Sequence, residues 1–265
     1  MRIILSRKGF DSSCGGCASP ILPDGTMLSM PIPSEGDVCG FDEIHYAGKS
    51  YADIWHELKP PAINCTRCHL DPDIRTGIRD NPKDWVPAFG QVNQAETHLE
   101  QFNIRQGDLF LFFGWFRETE YHGNRLCFRR DAPDIQAIYG YLQVGEILRG
   151  RDTDKCYWHP HANRSEANNT IYVASPRLQF EDDDAGLPGS GTLMFSEARV
   201  LTAPGMSRSR WKLNGIFGEI PLSYHYTGRV KDGYFDSVKR GQEFVFDEDQ
   251  RVIKWAKSII LEPRG

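Results

Sequence analysis

Continuous apolar runs bounded by glycine and polar residues predict that the middle of the chain forms buried β-strands. The clearest runs are residues 109–116, which follow Gly107-Asp108, and residues 138–147. Both are rich in the aromatic and β-branched residues that favour a buried strand. Shorter runs predict strands at 2–5, 169–174 and 243–246. Glycines inside the long runs indicate bulges or tight bends, as in a small closed barrel: Gly114, Gly140 and Gly145.

The C-terminus shows helical rather than strand periodicity. Apolar residues recur there at helical spacing and form one face: Val252, Ile253, Ala256, Ile259 and Ile260. Asp247, with Gln250 three residues later, predicts the N-cap, and Pro263 predicts the end. Residues 50–58 and 94–102 are shorter helical candidates. We predict an α+β protein, in which a β-rich mixed sheet or small barrel carries peripheral helices and a C-terminal helix packed on the sheet.

Length and charge narrow the class of protein. The 265 residues are 40% hydrophobic and contain no internal repeat, which predicts a single domain over 1–265 with any barrel core within 105–250. A net charge of −5 argues against a protein that holds long duplex DNA mainly through its phosphates. A nucleotide or a flipped base in a local pocket fits better. No apolar run reaches the ~18 residues of a membrane span, and no signal peptide is evident.

The loop after the first predicted strand carries polar chemistry. Arg7 and Lys8 supply two cations, Asp11 an anion, and Ser12 and Ser13 hydroxyls. The glycines in this loop allow the backbone to approach a ligand closely. The combination suits a phosphate or a nucleotide, and a charged surface turn is the alternative.

A second cluster is His69-Leu70-Asp71-Pro72-Asp73. In an extended segment His69, Asp71 and Asp73 point to one face, where they could bind a divalent cation or act as acid and base. The alternative is an Asp-Pro turn whose carboxylates cap backbone amides.

Two cysteine pairs have the spacing of zinc ligands: Cys14 with Cys17, and Cys65 with Cys68. The 47 residues between the pairs exceed the usual zinc-ribbon gap. A structural zinc site, a redox or iron–sulfur role and ordinary reduced cysteines are therefore all open. We expect a cytoplasmic protein whose seven cysteines are reduced.

Other polar segments supply further candidates. His159 and His161 flank Pro160 and could bind a metal or phosphate, or lie on the surface as ordinary polar residues. Arg208 precedes Trp211 in a loop that suits a stacked base with an adjacent phosphate, or is simply an exposed basic loop. Gln242 and Glu243 could hydrogen-bond a base edge or simply open the last strand. Gln91 is a candidate nucleotide contact, or else a cap or a polar core residue.

The motifs follow one another in a familiar order. They include Ser-Arg-Lys-Gly-Phe-Asp-Ser-Ser at 6–13, His-x-Asp-Pro-Asp at 69–73, Phe-Gly-Gln at 89–91, Gly-Tyr-Leu-Gln-Val-Gly-Glu at 140–146, His-Pro-His at 159–161, Asn-Asn-Thr at 168–170 and Gly-Gln-Glu-Phe at 241–244. From residue 1 to about 250 the chain resembles the third family of nucleotide-modification-associated domains. Residues 107–148 are also similar in pattern to the barrels of PUA, EVE and ASCH domains, which hold modified bases or RNA.

The family resemblance implies a role in phage or bacterial systems that modify DNA bases or nucleotides. Two hypotheses follow. An enzyme would use catalytic residues among Asp11, His69, Asp71, Asp73, His159 and His161. It would bind a nucleotide or modified base, possibly within DNA, through Arg7, Lys8, Gln91, Trp115, Arg117, Asn169, Arg208 and Gln242. A non-catalytic reader would instead stack a base on Trp115, Tyr139 or Tyr141. Convergence of the His, Asp and Arg candidates in one cleft favours the enzyme, and a deep aromatic cage favours the reader.

Overall fold

The computed structural model describes residues 1–60, 66–180, 183–223, 229–237 and 242–262. In chain order the strands are β1 (Ile3–Arg7), β2 (Ser19–Ile21), β3 (Ile32–Pro33), β4 (His45–Tyr46), β5 (Lys49–Ser50), β6 (Cys68–His69), β7 (Ala88–Gln91), β8 (Leu109–His122), β9 (Arg125–Phe128), β10 (Ile135–Arg149), β11 (Thr170–Ala174), β12 (Gln179–Phe180), β13 (Asp183–Asp184), β14 (Ser190–Thr192), β15 (Arg210–Lys212), β16 (Val230–Lys231), β17 (Tyr234–Asp236) and β18 (Glu243–Val245). The helices are α1 (Tyr51–Leu58), α2 (Asn93–Gln101) and α3 (Gln250–Leu261), with 3-10 helices at Gly150–Cys156 and Glu197–Arg199.

A nine-stranded mixed sheet forms the centre of the fold. Its main path is β18-β1-β8-β10-β11-β7, while β2 and β9 also pair with β8 and β14 pairs with β10. β1 and β2 run parallel to β8, and the remaining pairs of this sheet are antiparallel. The long apolar runs of the sequence therefore become the two central strands, β8 and β10. The predicted α+β mixed sheet is confirmed.

The sheet remains open rather than closing into a barrel. Within the described ranges, no backbone pairing joins the outer strands β7 and β18. The register of β10 shifts against β8 at Gly140 and against β11 beside Gly145, so the predicted bulges are confirmed at these two glycines. Gly114 instead pairs in regular register, and a Cβ there would lie 2.7 Å from the backbone oxygen of Lys8. The glycine therefore lets the backbone at Lys8, just after β1, approach β8 closely.

Helix α3 packs on the sheet with the apolar face that the sequence predicts. All five residues of that face are buried in the main core: Val252, Ile253, Ala256, Ile259 and Ile260. The predicted cap was wrong, because the Asp249 side chain, not that of Asp247, accepts from the first turn, at Arg251 N. A bridge between Leu222 and Phe246 keeps the chain extended up to Asp247. Pro263 lies outside the described residues. No helix in the described ranges is long and apolar enough to cross a membrane.

A second apolar cluster supports the N-terminal half of the chain. Phe10, Phe41 and Trp55 pack ring against ring, with centroids 4.8–6.3 Å apart. Cys68 and Leu70 are buried in the same cluster, and β6, which contains Cys68 and His69, pairs with β3. His69 is therefore anchored on both sides by core residues, which fixes where its ring projects.

Candidate functional site

A single large cleft of about 1370 Å³ brings together many of the candidate residues. Its lining includes Arg7, Lys8, Asp11, Cys14, His69, Asp71, Gln91, Trp115, His161, Arg208 and Gln242 from the sequence predictions, together with Arg164 and Glu243. These residues come from segments spread over more than two hundred positions of the chain. The fold thus joins the N-terminal loop, the His-Asp segment and the start of β18 around one space.

Strand pairing delivers Arg7 and Lys8 to the cleft. β1 ends at Arg7, whose backbone N–H donates to Gln242 O at 2.8 Å, and the Lys8 N–H donates to Phe113 O at 2.9 Å. Gly9 then turns the chain with φ at +82°, a conformation that favours glycine. Burial lowers the pKa of Arg7, with a further lowering by nearby Arg208 that Asp11 opposes. The two guanidinium groups therefore share one part of the cleft.

Lys8 lies between two buried carboxylates. Its Nζ is 3.3 Å from Asp71 Oδ2, 3.7 Å from Glu243 Oε1 and 4.3 Å from the centre of the Phe89 ring. Burial acts to raise the pKa of Asp71, but Lys8 and His159 outweigh it and hold that pKa well below its usual range. Asp71 is therefore a carboxylate at neutral pH.

Glu243 is the second carboxyl group of this wall. Its Oε1 accepts hydrogen bonds from Ser6 Oγ at 3.0 Å and Gln91 Nε2 at 2.7 Å. Its Oε2 is buried without a hydrogen-bond partner among the described residues. Burial raises the pKa of Glu243 despite Lys8, Ser6 and Gln91. A buried carboxyl group with a free oxygen and a raised pKa is suited to exchange a proton with a ligand.

His69 and His161 meet although 92 residues separate them. Their Nε2 atoms are 3.2 Å apart, and both residues are buried. Each ring is held from its other nitrogen, since His69 Nδ1 lies 2.9 Å from Asp37 Oδ2 and His161 Nδ1 lies 2.9 Å from Asn169 Oδ1. Burial lowers the pKa of His161 to about 3, which keeps this imidazole neutral.

With Asp71, the two imidazoles could hold a metal ion. One ligand atom from each of His69, Asp71 and His161 lies within 4.8 Å of the other two. We call these three residues the histidine–aspartate cluster. Two imidazole nitrogens and one carboxylate form a common ligand set for transition metals.

Backbone and side-chain contacts fix the cluster from behind. Asp71 Oδ1 accepts from Gly90 N at 2.7 Å and lies 3.4 Å from His159 Nε2. His159 Nδ1 in turn accepts from the His161 N–H at 3.2 Å. A Cβ on Gly90 would lie 2.3 Å from the His161 ring, so this position admits the ring only as glycine. His159 is fully buried and does not line the cleft. It orients the neighbouring groups.

Another part of the cleft lining is cationic and aromatic. The Arg208 guanidinium carbon lies 3.7 Å from the centre of the Trp115 ring, and Arg208 Nη2 donates to Ser12 Oγ at 3.1 Å. Trp115 Nε1 donates to Asp134 Oδ1 at 3.0 Å. Trp115 therefore presents one ring face to Arg208 rather than to open space. The predicted base platform is part of an arginine–aromatic stack.

The N-terminal loop is held in shape by Asp11. Its Oδ1 accepts from Ser13 N, Ser13 Oγ and Cys14 N at 2.7–2.9 Å. These hydrogen bonds, opposed by burial, lower the pKa of Asp11. Asp11 therefore borders the cleft and stabilises a turn, in which its Oδ1 accepts three hydrogen bonds.

Three candidates take other places. Asp73 turns away from the cleft and binds Arg79 and Trp85, because the strand ends at His69 and the alternation expected of an extended segment is not followed. Arg117 binds the backbone oxygens of Arg129 and Arg130. Asn169 is buried behind His161, and its Nδ2 donates to the backbone oxygen of His161 at 2.7 Å.

The cysteines do not share one place. Cys14 borders the cleft, and burial raises the pKa of nearby Cys17 to about 11. Cys68 is buried, and its N–H donates to Cys39 O at 2.8 Å. Cys65 lies outside the described residues, so a four-cysteine zinc site stays a prediction. Among the described residues, the metal-competent group contains no cysteine.

Several site residues had a weak signal in the sequence or none. Asp37 lies in a polar loop with no motif. Glu243 belongs to the Gly-Gln-Glu-Phe motif, which could contact a base edge or simply open the last strand. Arg164 follows the His-Pro-His motif by only three residues, which is the one signal that could have found it. Gly90 belongs to the Phe-Gly-Gln motif, yet only the three-dimensional contact with His161 explains why this position is glycine.

The chain belongs to a family of nucleotide-modification domains. Residues 2–247 match the model of nucleotide modification associated domain 3, and the chain is a member of that family. The resemblance predicted from the motifs is thereby confirmed. No curated protein and no solved structure matches the chain.

Proposed function

We propose that the protein is an enzyme of a DNA modification system that acts on a nucleotide or base held in the cleft. The family associates the chain with nucleotide modification. The observation that carries the proposal is the meeting of two kinds of chemistry in one space. The arginine pair, Arg7 and Arg208, lines the same cleft as the histidine–aspartate cluster.

The arginine wall suits phosphate. Guanidinium groups recognise phosphate through fixed, bidentate hydrogen bonds, and the cleft offers Ser12 and Ser13 hydroxyls beside them. The cleft volume exceeds the ~300–1,000 Å³ of ordinary small-molecule sites, so a nucleotide fits with room for a neighbouring chemical group. We infer that the phosphate lies at Arg7 and Arg208 and that the base or sugar extends towards Asp71.

The polar wall suits catalysis more than passive recognition. A reader of modified bases would be expected to enclose the base in an aromatic cage. The described aromatic residues at this cleft are Phe10 and Trp115, and Trp115 already stacks with Arg208. Tyr141 donates to Pro188 O instead, and Tyr139 borders a separate small cavity. The cleft lining instead carries the Asp71 carboxylate and the Glu243 carboxyl group, whose pKa values are shifted in opposite directions, and such polar chemistry favours the enzyme.

Nucleoside mass spectrometry tests the proposal directly. DNA would be compared from cells that carry the native modification system with the wild-type protein, with Asp71→Asn, or with His69→Ala. We expect an unusual nucleoside to disappear or change mass in both variants. Unchanged nucleosides, in cells where both variants accumulate as folded protein, would favour a reader instead.

Nucleotide binding tests the phosphate wall separately. We expect Arg208→Ala to weaken binding of a deoxynucleoside monophosphate at least tenfold in calorimetric titration. Arg117→Ala is the matched control, because Arg117 binds the backbone of the β8–β9 hairpin outside the cleft. Equal effects of the two substitutions would contradict the assigned orientation.

A further inference from the structure

The two imidazoles of the histidine–aspartate cluster face each other in an unusual way. Their Nε2 atoms are 3.2 Å apart, a hydrogen-bonding distance. A hydrogen bond between them would require one Nε2 to carry a proton. Which nitrogen carries the proton follows from the partners of the two Nδ1 atoms.

Both Nδ1 atoms face acceptors. Asp37 Oδ2 lies 2.9 Å from His69 Nδ1, and a carboxylate only accepts. Asn169 Oδ1 lies 2.9 Å from His161 Nδ1, and the Asn169 amide orientation is fixed because its Nδ2 donates to His161 O at 2.7 Å.

Each imidazole in its neutral form therefore carries its proton on Nδ1. The two Nε2 lone pairs then point towards each other, which is repulsive unless a positive charge lies between them. The Nδ1 partners are the acceptors usually found behind metal-binding histidines, a carboxylate and an amide or backbone oxygen. The second shell of a metal site is thus present on both rings.

The spacing of the two imidazole nitrogens fits a metal ion. A transition metal binds imidazole nitrogen at about 2.0–2.1 Å, and two such bonds at a tetrahedral angle place the nitrogens about 3.3 Å apart. The observed 3.2 Å agrees with that geometry. We propose that His69, Asp71 and His161 form a mononuclear site for a first-row divalent transition metal, with its open position facing the cleft.

The ligand set selects the class of metal. Two imidazoles and one carboxylate bind Zn²⁺ and Fe²⁺ well, whereas Mg²⁺ and Ca²⁺ prefer oxygen ligands throughout. Three protein ligands leave a coordination position for water or substrate, as in catalytic rather than structural sites. Metal binding by these residues does not depend on the proposed function. Only a role of the metal ion in the reaction rests on the proposed function.

Lys8 can accommodate the ion. It now neutralises Asp71 at 3.3 Å, but it also lies 3.7 Å from Glu243 Oε1. When Asp71 ligates a divalent ion, the ammonium group retains the Glu243 carboxyl as a partner. The buried positive charge of Lys8 therefore does not have to leave the site.

Cobalt titration of the full chain, freed of metal with a chelator, tests the proposal. Co²⁺ reports its coordination by visible absorption, and elemental analysis after separate loading with Zn²⁺ or anaerobic Fe²⁺ identifies the preferred ion. We expect one equivalent per chain in the wild-type protein. His69→Ala and His161→Ala should lose the absorption band or weaken binding at least tenfold.

The controls separate metal binding from folding. His122→Ala removes an exposed histidine at the end of β8 and should bind as the wild-type protein does. Asn169→Ala leaves all three ligands in place but removes the His161 partner, so we expect about 10–100-fold weaker binding. Sub-stoichiometric metal in the wild-type protein, or unchanged binding in both histidine variants, would overturn the proposal and leave a proton shared between the two rings. Because binding is read without turnover, an inactive but metal-loaded protein would count against the proposed function alone.

Discussion

Gln91 Nε2 donates a 2.7 Å hydrogen bond to Glu243 Oε1, although the two residues belong to opposite ends of the sheet order. Gln91 ends β7 and Glu243 begins β18, and four strands lie between them: β1, β8, β10 and β11. The sheet must therefore curl until side chains of its two outer strands touch. The cleft opens where these edges meet, which explains how one wall combines residues from distant parts of the chain.

This bond should contribute measurably to stability. We expect Gln91→Ala to lower the free energy of unfolding by about 1–3 kcal/mol, because buried Glu243 loses its shortest hydrogen bond. Gln94→Ala changes an exposed glutamine three residues away and should alter stability by less than about 0.5 kcal/mol. Urea unfolding monitored by circular dichroism measures both. Similar losses in the two variants would show that the contact across the sheet edges contributes nothing.

A second buried carboxyl group makes stability depend on pH. The Tyr172 hydroxyl lies 3.0 Å from both carboxyl oxygens of Glu96, and burial raises the pKa of Glu96 from 4.5 to about 7. An acid whose pKa is higher in the folded chain binds protons more tightly there than in the unfolded chain. Stability therefore falls as pH rises from about 4.5 to about 7 and changes little further from this group above that window.

The corresponding variant is Glu96→Gln. We expect the wild-type protein to lose about 3 kcal/mol of stability relative to Glu96→Gln between pH 4.5 and 7.5. Urea unfolding at several pH values gives this difference. Glu35→Gln removes an exposed carboxyl group and should follow the wild-type curve. A difference between wild type and Glu96→Gln that does not change with pH would contradict the assignment.

The sequence predicts the parts of the fold that depend on local pattern. Apolar runs predict β8 and β10 because buried strands need continuous hydrophobic residues, and the face of α3 follows from helical spacing alone. The residues at which such helices and strands begin and end are harder to predict from the sequence. The cap of α3 moved by two residues because a bridge to Leu222 keeps Phe246 extended, and no local signal reports that contact.

The candidate site is predicted residue by residue but not as a geometry. His69, Asp71 and His161 stand out because imidazoles and carboxylates in polar motifs are chemically distinctive. Their meeting depends on tertiary contacts, so the sequence could not show that His161 and not Asp73 completes the cluster with Asp71. Asp37 and Asn169 act by orienting other groups, and such a role has no pattern of its own.

Asp247 and Asp249, just before α3, differ in whether they cap the helix. Asp249 accepts from Arg251 N at 2.7 Å, whereas Asp247 is exposed before the helix begins. We expect Asp249→Ala to destabilise the protein by about 1 kcal/mol, since one free N–H of the first turn loses its acceptor. Asp247→Ala should change stability by less than about 0.5 kcal/mol. Thermal unfolding of the pair decides between them, and a larger loss in Asp247→Ala would restore the cap predicted from the sequence.

Gly90 and the ring of His161 make the tightest approach at the site. A methyl group on Gly90 would lie 2.3 Å from the His161 ring, which is held at Nδ1 by Asn169. The ring cannot stay in place, and its displacement separates the two Nε2 atoms. Gly90→Ala should therefore destabilise the protein by about 1–3 kcal/mol, the usual cost of overpacking, and weaken Co²⁺ binding at least tenfold.

Gly36→Ala provides the matched control. A Cβ at Gly36 meets no atom within 4 Å, and its backbone does not require glycine. This variant should unfold and bind Co²⁺ as the wild-type protein does. If Gly90→Ala loses stability yet keeps full Co²⁺ affinity, His161 is a packing residue and not a ligand. If Gly90→Ala matches Gly36→Ala in both measurements, the His161 ring does not occupy the space in front of Gly90.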